Sequence, residues 1–175
     1  MPADRPRQTE PDPVAVVAAG YDEIAERYLA WSGGQPSGAR LRALELADRL
    51  IPAGAEVLEL GCGAGLPMTA RLAVGRQLTG VDVSAEQIRR ARENVPSASF
   101  VQADLTTVDR PAASLDAVVA FYALTHVPRE RLPGLFTREL PAQVKGPGTW
   151  MHDALSFRDQ WESRLLRTAA WSPLT

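Results

Sequence analysis

From Val14 onward apolar residues recur at three- and four-residue steps. Val14, Val17, Ala18, Tyr21, Ile24, Ala25, Tyr28 and Leu29 fall on one face, which predicts an amphipathic helix. Ser32 to Ser37 holds two glycines, a proline and three polar residues and reads as a loop. A second helix follows over Gly38 to Leu50, with Leu41, Leu44, Leu46 and Leu50 mostly on its apolar side. Pro52-Ala53-Gly54-Ala55 turns the chain, and then the pattern changes. Short apolar runs at Val57–Leu60, Gln77–Asp82, Phe100–Leu105 and Leu115–Phe121 predict buried strands. Helical signals separate them. Pro67 suits a first turn, where its missing N–H costs nothing. Ser84 reads as an N-cap, with Gln87 completing a capping box before a helix to about Asn94. A further helix is expected from about Pro128 to Leu140. Strands alternating with helices imply an α/β fold with a mainly parallel sheet, right-handed crossovers and ligands at the carboxyl ends of the strands.

The residues at those ends are polar or small. The first strand runs into Gly61-Cys62-Gly63-Ala64-Gly65, where glycines at alternate positions leave bare backbone N–H groups for a ligand. Glu59 precedes the loop and can steer a polar or cationic group. A nicotinamide fingerprint, G-x-G-x-x-G, needs a glycine at position 66, where this chain has Leu66. Asp82 ends the second strand 21 residues after Gly61, the distance at which a ribose is held in nucleotide-binding βαβ units. Its two oxygens can accept both hydroxyl protons of a diol. The third run ends at Asp104-Leu105 and the fourth at Phe121. Taken singly, glycine clusters make turns and aspartates after strands cap helices. Here they converge on one edge of the sheet.

Glu59-Leu60-Gly61-Cys62-Gly63-Ala64-Gly65 resembles the first motif of class I S-adenosylmethionine-dependent methyltransferases. Tyr21-Asp22-Glu23-Ile24-Ala25-Glu26-Arg27-Tyr28 resembles the Y-D-x-x-A-x-x-Y element before the core of many small-molecule members. The resemblance runs from about Gly20 to Leu140 and implies a Rossmann-like sheet with S-adenosylmethionine as cofactor. It implies that Glu59, Gly61, Cys62, Gly63 and Gly65 form the glycine-loop side of the site, with Asp82 and Val83 beside them. Asp104 would accept from the adenine amino group, next to Leu105, and Phe121 would face the methionine end. Tyr21 and Tyr28 would belong to a lid over the cofactor. Plain packing, with both hydroxyls at the rim, is the other reading.

The loop Phe121-Tyr122-Ala123-Leu124-Thr125-His126-Val127-Pro128 is where acceptor chemistry is expected. It lacks the N-P-P-Y or D-P-P-Y signature of enzymes that methylate amino groups of nucleic-acid bases or glutamine side chains. It resembles instead the small-molecule members. Methyl transfer from a sulfonium needs chiefly an aligned nucleophile, and a base only where the acceptor holds its proton tightly. His126 is the candidate base or substrate-orienting residue, against the alternative of a capping or packing role.

The chain divides into a polar leader over residues 1–13 with four prolines, a helical lid and first core helix over 14–50, a cofactor-binding core over 51–140 and an atypical tail over 141–175. The leader is expected to be disordered. In the tail, Gly146-Pro147-Gly148 imitates the family's turn, but the next apolar run is only Thr149-Trp150-Met151. Trp150, Phe157, Trp161, Leu165 and Trp171 are too apolar for a free tail, so at most one short strand beside the fourth, and then a helix, are expected. The family's C-terminal hairpin strands should be missing, leaving an exposed sheet edge through which two copies can pair.

Composition narrows the class. A net charge of −2 argues against an electrostatic grip on nucleic acid. The single cysteine, Cys62, rules out an internal disulfide or multi-cysteine zinc site and fits a cytoplasmic protein, and no apolar run has transmembrane length. The expected activity is methylation of a small molecule, with no metal. A domain that binds the cofactor without turnover is the first alternative, and a nicotinamide-dependent oxidoreductase, disfavoured by Leu66, is the second.

Overall fold

The computed structural model describes residues 11–36, 38–136 and 140–153. Helix α1 (Pro13–Ser32) starts at Asp12, whose side chain accepts from the Val14 N–H, with a proline in the first turn. The eight residues of the predicted apolar face are all buried or half-buried, and every other residue of the helix except the terminal Ser32 is exposed. Helix α2 (Gly38–Leu50) has the expected bounds, but its buried positions are Ala43, Leu44 and Ala47. Small side chains let it lie close to the sheet.

Five strands follow: β1 (Glu56–Leu60), β2 (Gln77–Asp82), β3 (Ser99–Gln102), β4 (Leu115–Phe121) and β5 (Val144–Asp153). They form one sheet in the order β3-β2-β1-β4-β5, with every pair parallel. Successive β1 residues serve opposite faces. Val57 packs with Leu44, Ile51 and Leu72 on the side of α2, α3 (Met68–Leu72) and α4 (Ala85–Asn94), and Leu58 and Leu60 pack with Val81, Val118 and Leu135 on the other. Burying each such aliphatic side chain contributes about 1.5–3 kcal/mol. The order reverses at β1, which has β2 on one side and β4 on the other, so the crevice of the fold opens at the ends of β1 and β4.

Several expectations are corrected. Strand β3 stops at Gln102, so Asp104 and Leu105 lie in the following turn, where Asp104 Oδ1 accepts from the Thr106 N–H and hydroxyl. That local bonding competes with the ladder and ends the strand early. The helix expected from about Pro128 begins later. A 3-10 turn spans Leu124–His126, and regular helix starts at α5 (Leu132–Gly134), with Pro133 in its first turn; α6 (Leu140–Gln143) lies beyond residues outside the description. The Ser84 cap on Gln87 N is present at 3.1 Å, but the Ser84 N–H goes to Asp82 Oδ1 at 3.0 Å rather than to the Gln87 side chain.

One strand lies beside β4, as expected, but it is not short. Strand β5 is ten residues long and pairs from Leu115↔Val144 to Phe121↔Asp153. Its register shifts between Leu115 and Ala117, so Lys145-Gly146-Pro147-Gly148 bulges opposite Asp116. Lys145 Nζ lies 3.0 Å from both Asp116 oxygens, and Asp116 Oδ2 also accepts from the Glu56 N–H at 2.9 Å. Gly146-Pro147-Gly148 is thus a bulge inside the strand, not a turn before it. The expectations for the leader up to Glu10, the tail helix and the missing hairpin lie outside the described residues.

Candidate active site

The carboxyl ends of β1, β2 and β4, together with the turn after β3, surround a cavity covered by α1. Val14, Val17, Tyr21 and Tyr28 line it from α1. Gly61, Gly63, Asp82, Val83, Gln87, Asp104 and Leu105 line the cofactor-loop side, and Phe121, Tyr122, Ala123, His126, Val127 and Pro128 the opposite wall.

The glycines are there for backbone reasons. Gly61 has φ +72°, and a Cβ at that position would lie 2.2 Å from the Ala123 Cβ across the β1–β4 crevice. No other residue fits both the conformation and the space. The N–H groups of Gly61 and Cys62 both donate to the Val81 carbonyl, at 2.7 and 3.0 Å. The Gly63 N–H donates to Asp82 Oδ2 at 2.9 Å. Asp82 therefore holds the glycine loop with one oxygen and the first turn of α4 with the other. Burial raises its carboxyl above the ordinary value, against the pull of the Ser84, Gly63 and Val83 N–H groups.

On the other side, the Tyr21 hydroxyl and His126 Nε2 are 2.9 Å apart, with the two rings edge to face at 5.4 Å. Tyr28 packs edge to face on Tyr21 at 5.3 Å. Burial, then the neighbouring Tyr28 and Asp82, push the Tyr21 hydroxyl up to about 12. Asp22, next along α1, reaches the N-terminus of α4, where its Oδ1 accepts from the Ser84 hydroxyl at 2.5 Å and the Glu86 N–H at 3.0 Å. Helix α1 is thus fastened to both walls of the cavity.

A family model described as a methyltransferase domain matches residues 57–141. The structure of DhpI in complex with SAH is similar over 82% of this chain and 71% of that one, with a TM-score of 0.68 and 27% identity. The chain carries a class I S-adenosylmethionine-dependent methyltransferase domain. Among sequence relatives, the uncharacterized methyltransferase Rv0089 of Mycobacterium tuberculosis is 39% identical over 114 residues, 59% of this chain and 56% of the relative. The trans-aconitate 2-methyltransferase of Paracidovorax citrulli is 38% identical over 109 residues, 58% of this chain and 42% of the relative. The ubiquinone biosynthesis O-methyltransferase of Xanthomonas axonopodis pv. citri is 39% identical over 116 residues, 62% of this chain and 48% of the relative. The chain spans about half the length of these curated relatives. The methyltransferase match over residues 57–141, together with similar structures that hold SAH and SAM, favours S-adenosylmethionine over a nicotinamide cofactor.

Within this methyltransferase frame, the expected site residues divide into two groups. Tyr21, Tyr28, Gly61, Gly63, Asp82, Val83, Asp104, Leu105, Phe121 and His126 line the cavity. Glu59, at the end of β1, and Cys62 and Gly65, within the loop, do not line it. Glu59 is 1% exposed, its Oε2 has no partner among the described residues, and burial raises its carboxyl to about 7. Burial also pushes the Cys62 thiol up, away from the reactive thiolate. A Cβ on Gly65 would lie 3.0 Å from Val95 Cγ2, so that glycine serves loop packing against α4. Asp104 carries a partner that sequence reasoning missed: Arg131 Nη1 lies 2.9 Å from its Oδ2. Gln87 was also missed, having been read only as a capping residue. Its position three residues after a cap and five after Asp82 was the available signal. Among the described residues no helix is long and apolar enough to cross a membrane.

Proposed function

We propose that this chain is an enzyme that methylates a small-molecule acceptor, with S-adenosylmethionine as donor. The observation that carries the reading is one cavity with two chemically different walls. Glycine backbone without side chains, its N–H groups already bonded to Val81 and Asp82 rather than bare, forms one together with Asp82, and the Tyr21–His126 pair stands at the other. The residues fit the cofactor. Gly61 and Gly63 present no side chain to the cavity, Val83, Leu105 and Phe121 offer apolar surface for a flat base and a thioether, and Gln87 keeps a buried amide without a partner among the described residues. When bound, the cofactor supplies an electrophilic methyl group on a sulfonium.

The chain's own residues then have separable tasks. Asp82 accepts from ribose hydroxyls while keeping the glycine loop in place, and Val83 and Leu105 exclude water from the base. Tyr21 keeps its proton at neutral pH and donates it to His126 Nε2 whenever that ring carries its hydrogen on Nδ1. An acceptor entering beside the pair donates to the Tyr21 oxygen, and the pair orients it or takes its proton, Tyr21 passing its own proton to His126 Nε2. Tyr21 and Tyr28 act as a lid that limits water. Positioning supplies most of the rate. Relatives named for trans-aconitate and for ubiquinone biosynthesis support a small acceptor. In the same reading the protein is cytoplasmic, with one cysteine and no helix among the described residues suited to a membrane, and two copies pair through the β5 edge.

A domain that binds the cofactor without turnover is the competing reading, favoured by the irregular register of β5. Calorimetric titration with S-adenosylmethionine, followed by methyl transfer to panels of carboxylic acids, phenols and amines, separates the two. Binding with transfer supports the enzyme, binding with no transfer to any class supports the silent domain, and no binding overturns both.

A further inference from the structure

Gln87 stands in the first turn of α4 and is 1% exposed, yet neither Oε1 nor Nε2 has a hydrogen-bond partner among the described residues. Leaving a primary amide buried and unpaired costs stability, so such a group calls for an explanation. It does not finish the capping box, because Asp82 has taken the Ser84 N–H. It does not hold the glycine loop either: its Oε1 stands near Gly63, 3.9 Å from where a Cβ would lie, but the Gly63 N–H donates to Asp82 Oδ2 and neither amide atom bonds the loop. The residue lines the cavity beside Gly63, Asp82 and Val83.

We infer that Gln87 is a ligand-recognition residue that donates from Nε2 to a ribose oxygen of the adenosyl group, complementing Asp82. This rests on the cofactor reading above and extends it. An ionised carboxylate can only accept, whereas each sugar hydroxyl has one proton to give and two lone pairs to satisfy. A diol held by Asp82 alone sends its protons to the carboxylate and leaves its lone pairs without donors in a water-poor cavity. The amide of Gln87 supplies the missing donor from the same wall, and its Oε1 can accept a second hydroxyl proton. Asp82 and Gln87 together match a vicinal diol in both directions, and a deoxy sugar satisfies only part of the pair.

The inference separates a binding role from a structural one because the two predict opposite changes in stability. Gln87→Met keeps the volume and removes the buried polar atoms. The melting temperature of the unliganded variant should hold or rise, while its affinity for S-adenosylhomocysteine falls about tenfold. The unaltered chain should prefer S-adenosylhomocysteine to its 2′-deoxy or 3′-deoxy counterpart, and Gln87→Met should shrink that preference. In the unaltered chain, the side-chain amide protons of Gln87 should shift and slow their exchange when S-adenosylhomocysteine is added. This readout stands even if the variant does not fold. Equal affinity in the variant, a lowered melting temperature with affinity retained, or amide signals indifferent to the ligand would each overturn the assignment. Failure of the unaltered chain to bind S-adenosylhomocysteine would instead overturn the cofactor reading, and this inference with it.

Discussion

The hydroxyl of Tyr21 and Nε2 of His126, 105 residues apart in sequence, meet at 2.9 Å across the mouth of the cavity. One comes from the helix before the core and the other from the turn after β4. If they act as a unit, removing either partner removes the same function. Tyr21→Phe and His126→Ala should each lower methyl transfer by about 10²–10⁴-fold, and the double variant should be little worse than either single one. Single-turnover rates with S-adenosylmethionine and an identified acceptor check this. Simple multiplication of the two losses would show that the residues act separately.

Asp82 has a structural duty besides its expected ligand duty, because Gly63 and Ser84 both donate to it. Asp82→Ala should weaken S-adenosylmethionine binding by about 1.5–3 kcal/mol, the cost of losing hydrogen bonds to a charged group. The variant should also melt at a lower temperature, since two loop N–H groups lose their acceptor. Calorimetric titration and thermal unfolding measured together test both halves. Normal affinity in a folded variant would remove Asp82 from the site.

Glu59 makes stability depend on pH. Its carboxyl is raised from 4.5 to about 7 in the fold, first because burial penalises the charge and then because Asp82 lies near. Below the lower value the group is protonated in both folded and unfolded chains and adds no pH dependence. Between the two values the folded chain holds a proton that the unfolded chain has lost, so stability falls as pH rises through this window. Glu59→Gln should flatten thermal stability between about pH 5 and 8 and exceed the unaltered chain at the alkaline end. A parallel fall in both proteins would place the titration elsewhere.

Asp22 serves a helix that is not its own. Its removal as Asp22→Ala should cost about 0.5–2 kcal/mol, the range for a lost N-terminal capping group. Hydrogen exchange should speed up along α1 and in the first turn of α4, while β1 and β4 stay protected. Uniformly faster exchange across the sheet would contradict a local role.

Much of this molecule was readable in the sequence wherever one element decided its own outcome. The apolar face of α1 is the buried face, and β4 has the bounds of its apolar run. Gly61, Asp82 and Phe121 stand at strand ends because strand ends are marked by turn chemistry. Strand β5 was less legible, since its own apolar run covers only Thr149 to Met151. Its length comes from pairing with β4 and from Lys145 binding Asp116 beside the bulge. The contacts of Asp22 with Ser84 and of Asp104 with Arg131 join separate elements and leave no mark in local pattern. Gln87 was hidden for a different reason. A glutamine three residues after a serine cap has an ordinary local use, and only the diversion of the Ser84 N–H to Asp82 shows that it goes unmade.

The bond from Asp22 to the start of α4 couples the position of α1 to a turn on the far wall of the cavity. Helix α1 cannot swing clear while its carboxylate remains on Ser84 and the Glu86 N–H. Opening the roof therefore strips acceptors from the turn that carries Gln87 and borders Asp82. Any displacement of α1 would thus loosen that turn, and the wall carrying Gln87 is firmest while α1 stays in place.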